Sequence, residues 1–118
     1  MIRELLDTYY EGIASKSGWD RPLAEDIGFV GPGGSAATGK PAYVQATQQF
    51  LQAVTAADRR EMLVDGDTAC VWVRYALTSP RGKSGSLDTL EIWKSSRDQL
   101  GSMTLYFDTA AFRSFMQS

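Results

Sequence analysis

Leu87-Asp-Thr-Leu-Glu-Ile-Trp-Lys94 and Leu100-Gly-Ser-Met-Thr-Leu-Tyr-Phe-Asp108 are two strand-like runs parted by a short polar turn. Their alternation predicts a hairpin. Thr89, Glu91 and Trp93 fall on one face of the first strand, and Asp88, Leu90, Ile92 and Lys94 on the other. Met103, Leu105 and Phe107 share one face of the second strand, and Thr104, Tyr106 and Asp108 the other. A carboxylate, Glu91, thus stands mid-strand beside a tryptophan. A sheet curled around that face would enclose one chemically useful group.

Upstream, residues Ala69 to Thr78 and Arg60 to Val64 read as two more strands, joined by an Asp65-Gly66-Asp67 turn. Pro80-Arg-Gly-Lys-Ser-Gly85 is a longer hairpin loop. Ile2, Leu5, Leu6, Tyr9, Tyr10 and Ile13 recur at helical spacing and predict a helix from Ile2 to Ala14. Asp20, with Pro22 after it, is suited to cap a short helical turn. Ile27 to Val30 reads as a short strand and Gly31 to Ser35 as a flexible loop. Thr38-Gly-Lys-Pro-Ala-Tyr-Val opens a second helix, to about Ala53, with Pro41 in its first turn. Thr109 to Met116 is a short terminal helix whose Phe112, Phe115 and Met116 can pack on the sheet. Helices come first and an antiparallel meander follows, which makes the expected class α+β.

Composition narrows function by exclusion. The chain has 118 residues, 43% hydrophobic, with a net charge of −2, enough for one domain spanning residues 1–118. No basic stripe is present, so a nucleic-acid partner is not expected. No apolar run approaches the roughly 20 residues that cross a bilayer, and Met1 leads straight into a helix rather than a signal segment. A cytoplasmic protein without a membrane partner is the expectation. There is no histidine and a single cysteine, Cys70. Zinc sites built on these residues and histidine-based triads are therefore excluded. Gly31-Pro-Gly-Gly-Ser35 lacks the lysine ending and helix of a phosphate loop. No metal and no cofactor is expected.

The order of elements, with Leu6-Asp-Thr-Tyr-Tyr-Glu-Gly12, Thr38-Gly-Lys-Pro-Ala-Tyr-Val44, Glu91-Ile-Trp-Lys94, Arg97-Asp-Gln-Leu100 and Leu105-Tyr-Phe-Asp108, resembles the nuclear-transport-factor-2-like superfamily. Within it the chain looks most like the SnoaL-like, polyketide-cyclase-like branch. The resemblance implies a cone of helices packed in a curved antiparallel sheet, a cystatin-like fold, and a homodimer formed through the sheet. It says little about activity, because one fold hosts many chemistries.

Three residues could carry chemistry. By resemblance Glu91 points into the cone, where burial would raise its pKa and suit it to acid/base work. It reads equally as a solvated carboxylate on the convex face or one paired with an arginine. Tyr9 matches the phenol donor of the ketosteroid isomerases and, with Glu91, would make a two-donor oxyanion pocket. The plainer account is a core tyrosine. Asp108 matches an acid of SnoaL-like cyclases, yet it also precedes a helix, and capping alone explains an aspartate there. The isomerases' base position corresponds here to Val30, which cannot move a proton. Trp19, Phe29, Tyr43, Phe50, Val73, Tyr75, Met103 and Phe107 are candidate pocket walls, with Trp19 placed to close the mouth. Trp72 and Arg74 alternate outward and are candidates for the dimer face. Two functions follow as expectations. One is a cone for a small apolar molecule, with cofactor-free isomerase, cyclase or dehydratase chemistry. The other is a non-catalytic dimeric module.

Overall fold

A computed structural model describes residues 1–118. Helix α1 (Ile2–Ser15) buries Ile2, Leu6, Tyr9, Tyr10 and Ile13 on one side and ends at Lys16 in the left-handed conformation. The six strands are β1 (Leu23–Val30), β2 (Ala36–Thr38), β3 (Val54–Asp65), β4 (Thr68–Thr78), β5 (Ser84–Ser96) and β6 (Gln99–Tyr106). Helix α2 (Lys40–Leu51) lies between β2 and β3, and α3 (Thr109–Met116) closes the chain. They form one sheet in the order β2-β1-β6-β5-β4-β3. The α+β class is as expected.

Several expectations need correction. The sheet is mixed, because β1 runs parallel to β6. That pairing joins segments far apart in sequence, so no local pattern announces it. The loop after Val30 contains a tight turn at Pro32–Gly34 and then β2, paired with β1. Residues 16–22 form turns rather than a capped helix, and the strand that follows starts at Leu23, not Ile27. Strand β3 starts at Val54, six residues before Arg60, because Val54 to Arg59 find partners on β4. Thr55 to Ala57 are small and weakly patterned, so sequence alone gave no strand there.

The sheet curves at irregularities. The β3–β4 register shifts between Val54 and Ala56 and again between Arg59 and Glu61, and β5–β6 shifts at Lys94/Ser95. Such bulges bend and twist a strand. Helix α1 packs against β3, β4 and β6 on the concave side, while α2 packs against β1, β2 and β3. The β5–β6 turn has only Arg97 and Asp98, both at positive φ (54° and 61°), as the twist of a two-residue hairpin demands. The core joins α1, α2 and the concave sheet face, with Trp93, Leu6, Leu23, Ile27, Val71, Val73 and Leu100 wholly buried. Each such aliphatic side chain removed from water stabilises the fold by about 1.5–3 kcal/mol.

Candidate functional site

The alternation of β5 delivers Thr89, Glu91 and Trp93 to the concave face, and each is 3% exposed or less. Glu91 is a buried acid whose partners are all hydroxyls. The Tyr10 hydroxyl donates to Oε1. The Tyr75 and Thr89 hydroxyls donate to Oε2, each at 2.8 Å. The Trp93 indole N–H donates in turn to the Tyr10 oxygen at 3.0 Å. None of the ion pairs in the fold includes Glu91. Burial raises its pKa above the usual value, and the three hydroxyl donors offset that only in part. The phenols of Tyr10 and Tyr75 are pushed well up by the same burial and by the adjacent carboxylate, so both stay protonated donors.

Beside this cluster the Tyr9 and Tyr43 hydroxyls meet at 2.7 Å. Between two phenols only one proton occupies the bond, so the other remains to be given elsewhere. Both phenols are pushed up by burial. Tyr9 also packs edge-on against Tyr10 and Trp93, with centroids 4.9 and 4.7 Å away.

Tyr9, Tyr43, Tyr75, Thr89 and Glu91 all border a cavity of about 260 Å³ between the helices and the sheet. Phe29, Phe50, Leu87, Met103, Leu105 and Phe107 make much of its apolar wall. No Lys or Arg lines it. The C-terminal helix stacks on this wall from outside. Phe112 packs against Phe50 (6.2 Å) and Phe107 (5.5 Å).

The structure therefore gathers Glu91, Tyr9, Phe29, Tyr43, Phe50, Tyr75, Met103 and Phe107 at one cavity. It leaves out two expected wall residues. Val73 is buried but does not reach the cavity. Trp19 does not close a mouth. Its backbone presses on α1 at Gly12, and its ring packs 6.3 Å from Tyr9. Asp108 is exposed, caps α3 through Ala111 N–H at 2.9 Å, and does not border the cavity. Trp72 and Arg74 face outward. The Arg60 and Arg74 guanidiniums lie over the Trp72 ring at 5.8 and 5.7 Å, and Arg74 pairs with Asp88 at 2.8 Å.

Tyr9 and Glu91 border the same cavity, and the structure adds Tyr10 as a donor to Glu91. Adjacent helical residues project about 100° apart, as 3.6 residues per turn requires, so Tyr10 turns to β5 while Tyr9 turns to α2. Sequence flagged both phenols on the apolar face but not which strand each would meet. Thr89 was placed on the face of Glu91, and its hydroxyl partner role follows from that i, i+2 spacing.

A family model described as a SnoaL-like domain matches residues 2–100. No curated protein matches the chain. Solved structures share the fold at low identity. One is TerC co-crystallised with polyporic acid, 23% identical with a TM-score of 0.85, covering 98% of this chain and 97% of that one. Another is an NTF2-like protein of unknown function from Burkholderia pseudomallei, 16% identical with a TM-score of 0.86 and the same coverage. A third is a SnoaL-like polyketide cyclase homologue from Jannaschia sp. CCS1, 12% identical with a TM-score of 0.85, covering 98% and 90%. At these identities the likeness speaks for the fold alone.

Proposed function

The chain belongs to the SnoaL-like domain family, and on that premise we propose that its cavity takes a small, mostly apolar molecule and moves a proton on it without a cofactor. The observation that carries this reading is Glu91: a buried carboxylate with no cation beside it, at the wall of an apolar cavity. A carboxylate so placed is a stronger base than one in water, because ionisation costs more there. Its three hydroxyl partners fix both oxygens, which holds the base in one orientation. Tyr9 and Tyr43 supply a phenol proton toward oxygen on the ligand, where charge would gather as a C–H proton leaves. Isomerase, cyclase and dehydratase steps all begin with such a transfer. Asp108 is not part of this proposal, since its carboxylate caps a helix outside the cavity.

The test needs no knowledge of the true substrate. In D2O the protein should accelerate deuterium exchange beside the carbonyl of 2-tetralone, followed by NMR. Glu91→Gln should slow that exchange on the order of 100-fold, the usual worth of a general base. Exchange at the buffer rate by a protein that binds the ketone would remove the catalytic half of the reading.

A second reading rests on a different surface. Trp72, Leu90 and Tyr106 lie in register across β4, β5 and β6 on the convex face, and Leu90 and Tyr106 are 47% and 55% exposed. This apolar stripe supports a homodimer through the sheet, the cavity then serving binding alone.

A further inference from the structure

We propose that the molecule held in this cavity carries a protonated amine, which pairs with Glu91 while its apolar body faces the aromatic wall. The inference rests on the reading that the cavity takes a small apolar ligand, and it names the polar group of that ligand.

The charge inventory is one-sided. Glu91 is the one carboxylate that lines the cavity, and no Lys or Arg lines it. The nearby Arg59 is committed elsewhere: it pairs with Asp7 at 2.8 Å and lies over the Tyr10 ring at 5.5 Å. A buried carboxylate ordinarily has a cation or a metal as its partner, because neutral donors repay only part of the lost hydration. Here three hydroxyls make up the protein's whole contribution. They leave a vacancy in hydrogen bonding as well. A carboxylate offers about four acceptor sites. Oε2 accepts from Tyr75 and Thr89, which border the cavity, and Oε1 accepts from Tyr10, so the carboxylate keeps one acceptor site for an ammonium N–H.

The wall suits the same ligand. Tyr9, Phe29, Tyr43, Phe50, Tyr75 and Phe107 all border the cavity. Aromatic faces carry the negative end of the ring quadrupole and attract cations, most strongly where water is excluded. An anionic ligand would meet Glu91 across a medium that screens poorly. A neutral ligand would gain burial but leave the carboxylate uncompensated. Burial also raises the pKa of Glu91, the direction expected of an acid lacking a counter-charge. The volume of about 260 Å³ has room for a ligand of one or two rings with a short chain.

Three probes with one aromatic body separate the possibilities: 2-phenylethylammonium, 2-phenylethanol and 3-phenylpropanoate. Each is titrated calorimetrically into wild type and Glu91→Gln. The ammonium should bind wild type at least about tenfold tighter than the alcohol, a cation–aromatic and ion-pair advantage of ordinary size, and the carboxylate should bind weakest. In Glu91→Gln the ammonium-to-alcohol ratio should fall to about one, with alcohol binding retained as proof that the variant is folded. If that variant does not fold, the order of the three probes on wild type decides alone. Alcohol binding as tight as ammonium binding, or an ammonium preference that survives Glu91→Gln, overturns the proposal while sparing the cavity reading. Failure of all three to bind overturns both.

Discussion

Glu91 sets the residue scale because its ionisation is coupled to folding. Its folded pKa lies above the usual 4.5. Below 4.5 both folded and unfolded chains hold the proton, and its contribution to stability is fully present. As pH rises from about 4.5 through the raised folded value, the unfolded chain releases the proton first and stability falls. Glu91→Gln removes this slope. Urea denaturation of both proteins from pH 4 to 8 should therefore show wild type losing stability relative to the variant as pH rises, and a parallel pair of curves would refute the buried-acid assignment. The two adjacent tyrosines should differ as well. Tyr10→Phe strips a donor from Glu91 and an acceptor from the Trp93 indole at once, and should cost about 2–3 kcal/mol by denaturant melts. Tyr9→Phe removes a single hydroxyl contact, the one with Tyr43, and should cost about 1 kcal/mol. The sequence singled out Glu91 and grouped it with Thr89 and Trp93 on one strand face, since period-two alternation is a local property; that this face is the buried one is a matter of tertiary packing. The sequence could not assign Tyr10 to Glu91, because that bond spans 81 residues.

At the scale of elements, α1 depends on what it lacks. A Cβ on Gly12 would stand 2.5 Å from the Trp19 backbone nitrogen. Alanine is a better helix former than glycine by about 1 kcal/mol. Gly12→Ala should nonetheless destabilise the fold by about 1–3 kcal/mol, the range for forcing extra atoms into a packed site. A raised melting temperature would contradict the close approach of Trp19 to α1. The same contact explains why Trp19 lies against α1 rather than at the cavity. Elements with strong signals, α1, β4 and the β5–β6 hairpin, were legible from spacing. The start of β3 and all of β2 were not, because small residues such as Ala36, Ala37, Ala56 and Ala57 take strand form only when a partner strand supplies the hydrogen bonds.

At the scale of the whole molecule, the convex stripe of Trp72, Leu90 and Tyr106 supports the proposed homodimer. Burying that surface in a partner would add to the apolar core of an interface, where aromatic residues and arginine are favoured. Sedimentation equilibrium should give twice the chain mass for wild type and the single mass for Leu90→Asp, whose charge would be stranded at the centre of the contact. A monomeric wild type at micromolar concentration would remove the dimer proposal. No helix of the fold is long and apolar enough to cross a membrane.

The sequence by itself determined the α+β class, the helical and strand periodicities, the grouping of Thr89, Glu91 and Trp93 on one strand face and the capping role open to Asp108. All of these follow from residues close together in the chain. Only the tertiary structure decided that β1 runs parallel to β6, that Tyr10 rather than Tyr9 holds the acid, that Trp19 and Val73 stay out of the cavity, and that no cation of the chain reaches Glu91. Each of those depends on which distant segments share one concave face, and that is settled by packing the whole core at once.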